Sequence, residues 1–149
     1  MEWVQRAARA TRYVAVGLES LVTHPHLLSE MWNFERALPA RLAQVPLPEL
    51  MAQLSAHPAD LSLPPLTVCE MADAIAALDV RSPLGICLRR SLVRYYFLRR
   101  AGLSVTIRFG ARFKESRDIG GHAWLVLDDA PYQEESENYQ GFAVMYTYP

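Results

Sequence analysis

Cysteine and long apolar runs are both scarce in this chain. It contains two cysteines, Cys69 and Cys87, among 149 residues, which is too few for a disulfide framework and is typical of a protein from a reducing cytoplasm. No window approaches the roughly 18 uninterrupted apolar residues that a membrane span requires. The sequence therefore excludes a disulfide-rich secreted scaffold and a membrane-spanning protein, and it leaves at least one thiol free to react.

An excess of charge of either sign is also missing. The chain is 51% hydrophobic and 21% charged, with a net charge of −1, which excludes a disordered tail and a nucleic-acid binder that works through bulk charge. Arg6, Arg9 and Arg12 precede a short apolar run, but Glu2 and Glu19 interrupt the targeting pattern and no small-residue cleavage site follows. We therefore expect a mature, cytoplasmic protein.

The near-neutral total conceals a segregation of charge along the chain. Residues 1–80 carry 5 basic and 9 acidic side chains, residues 81–120 carry 10 and 2, and residues 121–149 carry 0 and 5, which gives −4, +8 and −5. Two interpretations fit this pattern. The basic block is neutralised internally by the acidic parts, or it forms a surface for an acidic peptide or a phosphate.

A stripe of apolar side chains runs along the first 22 residues. Its members recur every three or four residues, which predicts one face of an amphipathic helix. The stripe consists of Trp3, Ala7, Thr11, Val14, Leu18 and Leu21. Such a face either packs on its own domain or docks a partner.

Further helices are predicted in the first 80 residues. One covers residues 25–43 and is entered through Thr23 as a cap. Thr67 and Glu70 have the spacing of a capping box, in which each side chain accepts a hydrogen bond from a free backbone N–H, and this predicts a helix from Thr67 to about Leu78. Prolines between the two helices divide the intervening chain into short pieces.

The pattern changes after Pro83. A helix is predicted over residues 87–100, because mostly apolar side chains fall in one contiguous arc of it and a glycine follows it. Val93 and Phe97 add apolar surface to the side that carries the arginines. This helix is expected to be central and enclosed by its neighbours. Alternating apolar and polar residues predict strands over residues 103–109 and 122–127, and residues 142–146 suggest another.

The order of these elements indicates an α+β fold: N-terminal helices, then a central helix packed on an antiparallel sheet. We expect residues 1–149 to form one domain. Residues 1–80 are its helical N-terminal part, and residues 81–149 carry the central helix and the sheet.

Cys87 is the candidate nucleophile. It lies at the start of the predicted central helix, where free backbone N–H groups and the positive end of the helix dipole favour thiolate over thiol. The same N–H groups are candidates for an oxyanion hole. The alternative is a small buried side chain without a chemical role. Cys69, inside a predicted helix between apolar neighbours, is expected to belong to the core.

His122 is the candidate base. It follows two glycines, which allow a substrate or another backbone to approach closely, and it shares a strand face with Trp124. The alternative is an ordinary, partly buried histidine. His24, His26 and His57 lie beside prolines and are interpreted as loop or cap residues. The spacing of the histidines and cysteines predicts no metal site, and no cofactor is expected.

Four blocks of the sequence resemble the transglutaminase-like, or papain-like, cysteine proteases of lasso-peptide biosynthesis, which are leader peptidases. The similarity covers residues 67–140, about half of the chain. The blocks are GICLRRSL at residues 85–92, LRRAGL at 98–103, FGAR at 109–112 and GHAWL at 121–125.

The resemblance implies a papain-like core, with Cys87 on a central helix and His122 on the sheet. It also implies partners: the precursor leader peptide, a leader-binding domain that is either fused or free, and an ATP-dependent macrolactam cyclase that closes the ring. Residues 1–80 contain no block of short alternating strands, so we expect the leader-recognition protein to be a separate chain.

The third member of the site is an acidic residue that orients the imidazole. The family usually has aspartate twelve residues after the histidine, and this position is Glu134 here. A three-residue turn after Leu127 places Glu134 opposite Trp124, on the face of His122, whereas a two-residue turn brings Glu135 opposite His122. The alternative is a solvated acidic turn.

These observations predict a cysteine peptidase that removes the leader from a ribosomally made precursor peptide. Cys87 attacks the scissile carbonyl, His122 is the base and Glu134 holds its ring. An amine acyltransferase would use the same three residues with a different acceptor. A non-catalytic scaffold or leader-binding subunit would keep the fold and lack a complete site.

Overall fold

The computed structural model describes residues 2–149, without the side chains of Glu2, Trp3 and Arg6. Within this range the chain forms six helices and four strands. The helices are α1 (Glu2–Thr23), α2 (Pro25–Gln44), α3 (Leu47–Ser55), α4 (Pro65–Leu78), α5 (Ile86–Arg100) and α6 (Ser136–Tyr139), and the strands are β1 (Thr106–Phe113), β2 (Ile119–Leu127), β3 (Ala130–Pro131) and β4 (Ala143–Tyr148). No helix in residues 2–149 combines the length and the apolar character needed to cross a bilayer.

Helix α5 occupies the centre of the molecule, and the α+β prediction is confirmed. Ten of its fifteen residues are buried, because α2, α3 and α4 pack against it and the sheet packs against it through β2 and β1. The side chains of Leu92, Tyr95 and Leu98 are fully enclosed. Gly102 follows the end of the helix, and its φ of +86° suits a residue without a Cβ. This position places the N-terminus of α5 beside the middle of β2.

The sheet is antiparallel, with the strand order β3-β2-β1-β4. Gly110 of β1 pairs with His122 of β2. A Cβ at Gly110 would lie 2.8 Å from the ring of Trp124, so this glycine allows the indole to lie across β1. The alternation predicted for residues 103–109 is confirmed by the burial of Val105 and Ile107.

Several local predictions in the helical half are wrong. Thr67 is not a cap: α4 begins at Pro65, where the fixed φ of proline and its missing N–H suit the first helical turn. The hydroxyl of Thr23 donates to the carbonyl of Glu19 in α1 instead of capping α2. Helices α3 and α6 were not predicted; α3 forms between two of the prolines.

The apolar stripe of α1 is only partly covered by the other helices of its domain. Val14, Leu18 and Leu21 are 47%, 61% and 56% exposed. They line an open groove of about 330 Å³, whose other walls are apolar residues of α2 and α4. Trp3, the first member of the predicted stripe, lies outside the described side chains. The groove is therefore open to solvent.

Carboxylates from the helical half and the C-terminal part neutralise most of the charge on α5. The ion pairs join Arg89 to Glu35, Arg90 to Glu134, Arg94 to Asp73, and Arg100 to Glu30 and Asp60. Internal neutralisation, the first of the two interpretations of the basic block, is thus what the structure shows for this helix.

Candidate active site

Cys87 lies in the first turn of α5, one residue after the helix begins at Ile86. Gly85 occupies the N-cap position. The thiol is partly buried, and a hydrogen bond with His122 lowers the pKa of Cys87 against the opposing effect of burial. Backbone N–H groups of Ala123 and Leu88 lower this pKa further. The sulfur therefore lies where an anion is stabilised from several sides.

His122 lies in the middle of β2 and faces the start of α5. Its interactions with Cys87 and Glu134 raise the pKa of His122 to about 9, although burial acts in the opposite direction. A lowered thiol pKa beside a raised imidazole pKa favours a thiolate–imidazolium pair at neutral pH. This pair is the form in which a cysteine acts as a nucleophile.

Glu134 lies beside the imidazole of His122. Its Oε1 is 3.6 Å from Nε2 of His122, an ion-pair distance that slightly exceeds a hydrogen bond, as is common in active sites without substrate. The Glu134 side chain is 2% exposed. Burial raises its pKa, but His122, Arg90 and Asn138 together outweigh burial, so the pKa of Glu134 is lowered and the carboxylate stays ionised.

The position of Glu134 does not follow from counting residue pairs along the β2–β3 hairpin. Asp128 and Asp129 form a two-residue turn with φ values of 50° and 63°, and Leu127 pairs with Ala130; the three-residue turn is therefore wrong. The two-residue turn was expected to bring Glu135 opposite His122. This expectation is also wrong, because β3 ends at Pro131 and its pairing with β2 does not continue to Glu135.

Gln133 interrupts the extended backbone with a φ of 50°. This change of direction brings Glu134 beside His122, while Glu135 is exposed. Glu134, the candidate orienting acid, therefore lies next to His122, although the three-residue turn from which its position was argued does not form.

Aromatic rings surround the imidazole. The ring of Trp124 stacks with that of His122 at 5.8 Å, and Phe142 contacts His122 at 5.4 Å between centroids. Tyr139 stacks on the other side of Trp124. These rings limit the access of water to the His122–Glu134 contact, which strengthens the electrostatic interaction between them.

The remaining cysteine and histidines lie elsewhere. Cys69 is 4% exposed within the core, and burial raises its pKa to about 11. His24 is at the N-cap position of α2, His26 is in its first turn, and His57 packs edge-on against Tyr96. Residues 2–149, as far as they are described, contain no cluster of three or more side chains suited to a metal ion.

Arg90 and Phe142 belong to the site but were given no role from the sequence. Arg90 follows Cys87 by three residues, so both lie on one helix face, and this spacing was a usable signal. Phe142 approaches His122 from the far end of the sheet through the turn before β4. No local pattern in the sequence indicates that contact.

We expect iodoacetamide at pH 7 to label Cys87 at least about tenfold faster than Cys69, since each pKa unit changes the thiolate fraction about tenfold below the pKa. Two features slow the alkylation of Cys69: its sulfur is buried, and its pKa is raised. Peptide mass mapping of the native protein measures both rates, and the denatured chain is the control in which they should converge. Equal, slow labelling of both thiols in the native protein would contradict the thiolate assignment.

Comparison with known proteins identifies a family for this chain. The family model of the transglutaminase-like superfamily matches residues 31–147. No curated protein and no solved structure matches the chain. The matched range contains α5, the whole sheet and all three site residues.

Proposed function

Since the chain belongs to the transglutaminase-like superfamily, whose members typically use cysteine-based catalysis, we propose that it is a cysteine peptidase that removes the leader from a lasso precursor peptide. The observation that carries the proposal is the position of His122, which interacts with Cys87 and whose Nε2 lies 3.6 Å from Oε1 of Glu134. The specific substrate is supported by the four sequence blocks that resemble lasso leader peptidases.

In the first half of the reaction, the Cys87 thiolate attacks the carbonyl carbon of the scissile peptide bond. Backbone N–H groups at the start of α5 are suited to stabilise the negative charge that develops on the carbonyl oxygen. The C–N bond then breaks, and the His122 imidazolium gives its proton to the leaving amine of the core peptide. The leader remains bound to Cys87 as a thioester.

In the second half, neutral His122 accepts a proton from water, which attacks the thioester carbonyl. The C–S bond breaks and the leader leaves with a new carboxylate. Glu134 keeps the imidazole oriented and stabilises its protonated form in both halves. The thiolate–imidazolium pair is then restored.

The core peptide leaves this reaction with a free amine, which a separate ATP-dependent macrolactam cyclase would join to a carboxylate of the core. We propose the cytoplasm as the compartment, since both cysteines are free thiols, which is typical of reducing surroundings. A separate leader-recognition protein would bring the precursor to the peptidase by tethering. The exposed stripe Val14, Leu18 and Leu21 offers an apolar face for such a partner.

The proposal predicts that this chain cuts a lasso precursor into leader and core, and that the leader-recognition protein accelerates cleavage chiefly at low precursor concentration. Mass spectrometry of the products separates the possible reactions. A leader that has gained one water indicates a peptidase, whereas a leader joined to an added amine indicates an acyltransferase. An intact precursor in the presence of the partner would contradict the proposal and favour a scaffold.

A further inference from the structure

The nucleophile's helix also holds the acid loop, defined here as residues 132–138. Arg90 and Arg94 follow Cys87 along α5 at intervals of three and four residues, so they project toward the same side of the helix. Arg90 contacts the side chain of Glu134, and Arg94 contacts the backbone of Gln133. One rigid element therefore controls the nucleophile and the position of the acid.

The backbone of the acid loop is fixed first. Nη1 of Arg94 donates to the carbonyl of Gln133 at 2.8 Å. Asp73 of α4 holds the Arg94 guanidinium at 2.7 and 2.6 Å through both carboxylate oxygens. This arrangement secures the main chain just before Glu134 and leaves the torsions of the Glu134 side chain undetermined.

Arg90 fixes those torsions. A single nitrogen, Nη2, donates to both oxygens of Glu134, at 3.1 Å to Oε1 and 2.8 Å to Oε2. Oε1 is also the atom that faces Nε2 of His122. Without Arg90, a buried carboxylate would either bind a proton or rotate toward the polar cleft between α1, α4 and the acid loop, which is lined by Arg12, Glu70 and Glu135 among others.

We propose that Arg90 is a positioning residue for the reaction proposed above: it keeps Glu134 ionised and directed at His122. The inference rests on the proposed function for its effect on turnover. Its effect on the thiolate–imidazolium pair is independent of any substrate. Arg90 itself does not touch the reacting atoms in this scheme and acts through Glu134.

Arg90→Gln is expected to lower kcat about tenfold and leave KM unchanged, which corresponds to a loss of about one pKa unit of imidazolium stabilisation. The basic limb of the kcat profile should move to lower pH. Arg90→Lys should restore part of the activity, because the native contact uses one nitrogen and an ammonium can supply one cationic donor. Arg12→Gln, which removes an exposed ion pair with Glu70, is the matched control and should leave kcat unchanged.

A double-mutant cycle separates positioning from a general structural effect. If Arg90 acts through Glu134, adding Arg90→Gln to Glu134→Gln should lower kcat no further than Glu134→Gln alone. An additive loss would overturn the proposal. A basic limb that moves to higher pH in Arg90→Gln would also overturn it. That result would mean that the charge of Arg90 lowers the pKa of His122 by repelling the imidazolium, instead of raising it through the position of Glu134.

The pH dependence of Cys87 alkylation tests the inference without a substrate. In Arg90→Gln the alkylation midpoint should move upward, which makes labelling at pH 6.5 about tenfold slower for a shift of one unit. If this shift occurs and the wild type cuts no precursor, the proposed function fails and the positioning role stands. If the wild type cuts precursor and the midpoint is unchanged, the positioning role fails. Should Arg90→Gln not fold, Arg90→Lys must show the same direction of shift, and an unchanged midpoint there overturns the proposal.

Discussion

Cys87→Ala is expected to lower leader removal by about 10³-fold or more, because the variant has no atom that can form the thioester. The fold should be retained: the thiol is only partly buried and lies in the first turn of α5, so its removal costs little packing. Cleavage assays under single-turnover conditions measure the first effect, and thermal unfolding measures the second.

Cys69→Ala is the matched control within the same chain. It removes a sulfur that is 4% exposed in the core, so it should reduce stability by about 1–2 kcal/mol through the cavity left behind and keep nearly all activity per folded molecule. Substantial cleavage by Cys87→Ala, or loss of cleavage by well-folded Cys69→Ala, would contradict the assignment of Cys87 as nucleophile.

Glu134→Gln is expected to lower turnover about tenfold or more, and His122→Ala by about 10²–10⁴-fold. The amide has nearly the shape of the carboxylate but no charge, so it no longer stabilises the imidazolium. Glu135→Gln changes the neighbouring, exposed carboxylate and should leave turnover unchanged. Full activity in Glu134→Gln, or an equal loss in Glu135→Gln, would remove Glu134 from the site.

The same variant has a predictable pH dependence. An anionic Glu134 favours protonated His122 and contributes to raising the pKa of His122 to about 9. Glu134→Gln should therefore lower the pKa of His122 and move the basic limb of the rate profile to lower pH, because the leaving amine needs the proton of His122. Measurement of kcat from pH 6 to 10 with one precursor, for the wild type and for Glu134→Gln, locates the basic limb of each profile.

Cys87 and His122 could be chosen as candidate site residues because each has a local signal. A cysteine after glycine at the start of an apolar helix, and a histidine after two glycines at a strand, can be read from a few neighbouring residues. The α+β order follows from periodicity along the chain. The central position of α5 was predictable because Val93 and Phe97 add apolar surface to the side of the helix that carries the arginines.

The route to Glu134 could not be derived in the same way. It depends on a strand that ends after two residues and on the positive φ of Gln133, which the sequence does not mark with a glycine. The capping prediction at Thr67 failed because Pro65 had already begun α4. The spacing of Arg90 from Cys87 places both on one helix face, but the contacts of Arg90 with Glu134 and of Phe142 with His122 join residues far apart in the chain and follow from no spacing rule.

The arginines of α5 restrict how this helix can change in evolution or by design. Arg89, Arg90, Arg94 and Arg100 are paired with carboxylates that come from α2, α4 and two loops. Removing one partner of a buried ion pair costs about 3–5 kcal/mol, and a domain is stable by only about 5–15 kcal/mol. A chimera in which α5 of this chain alone is moved into a relative would leave several of the helix's guanidinium groups without partners and should not fold. We therefore expect that α5 can be transplanted only together with the carboxylates that pair with its arginines.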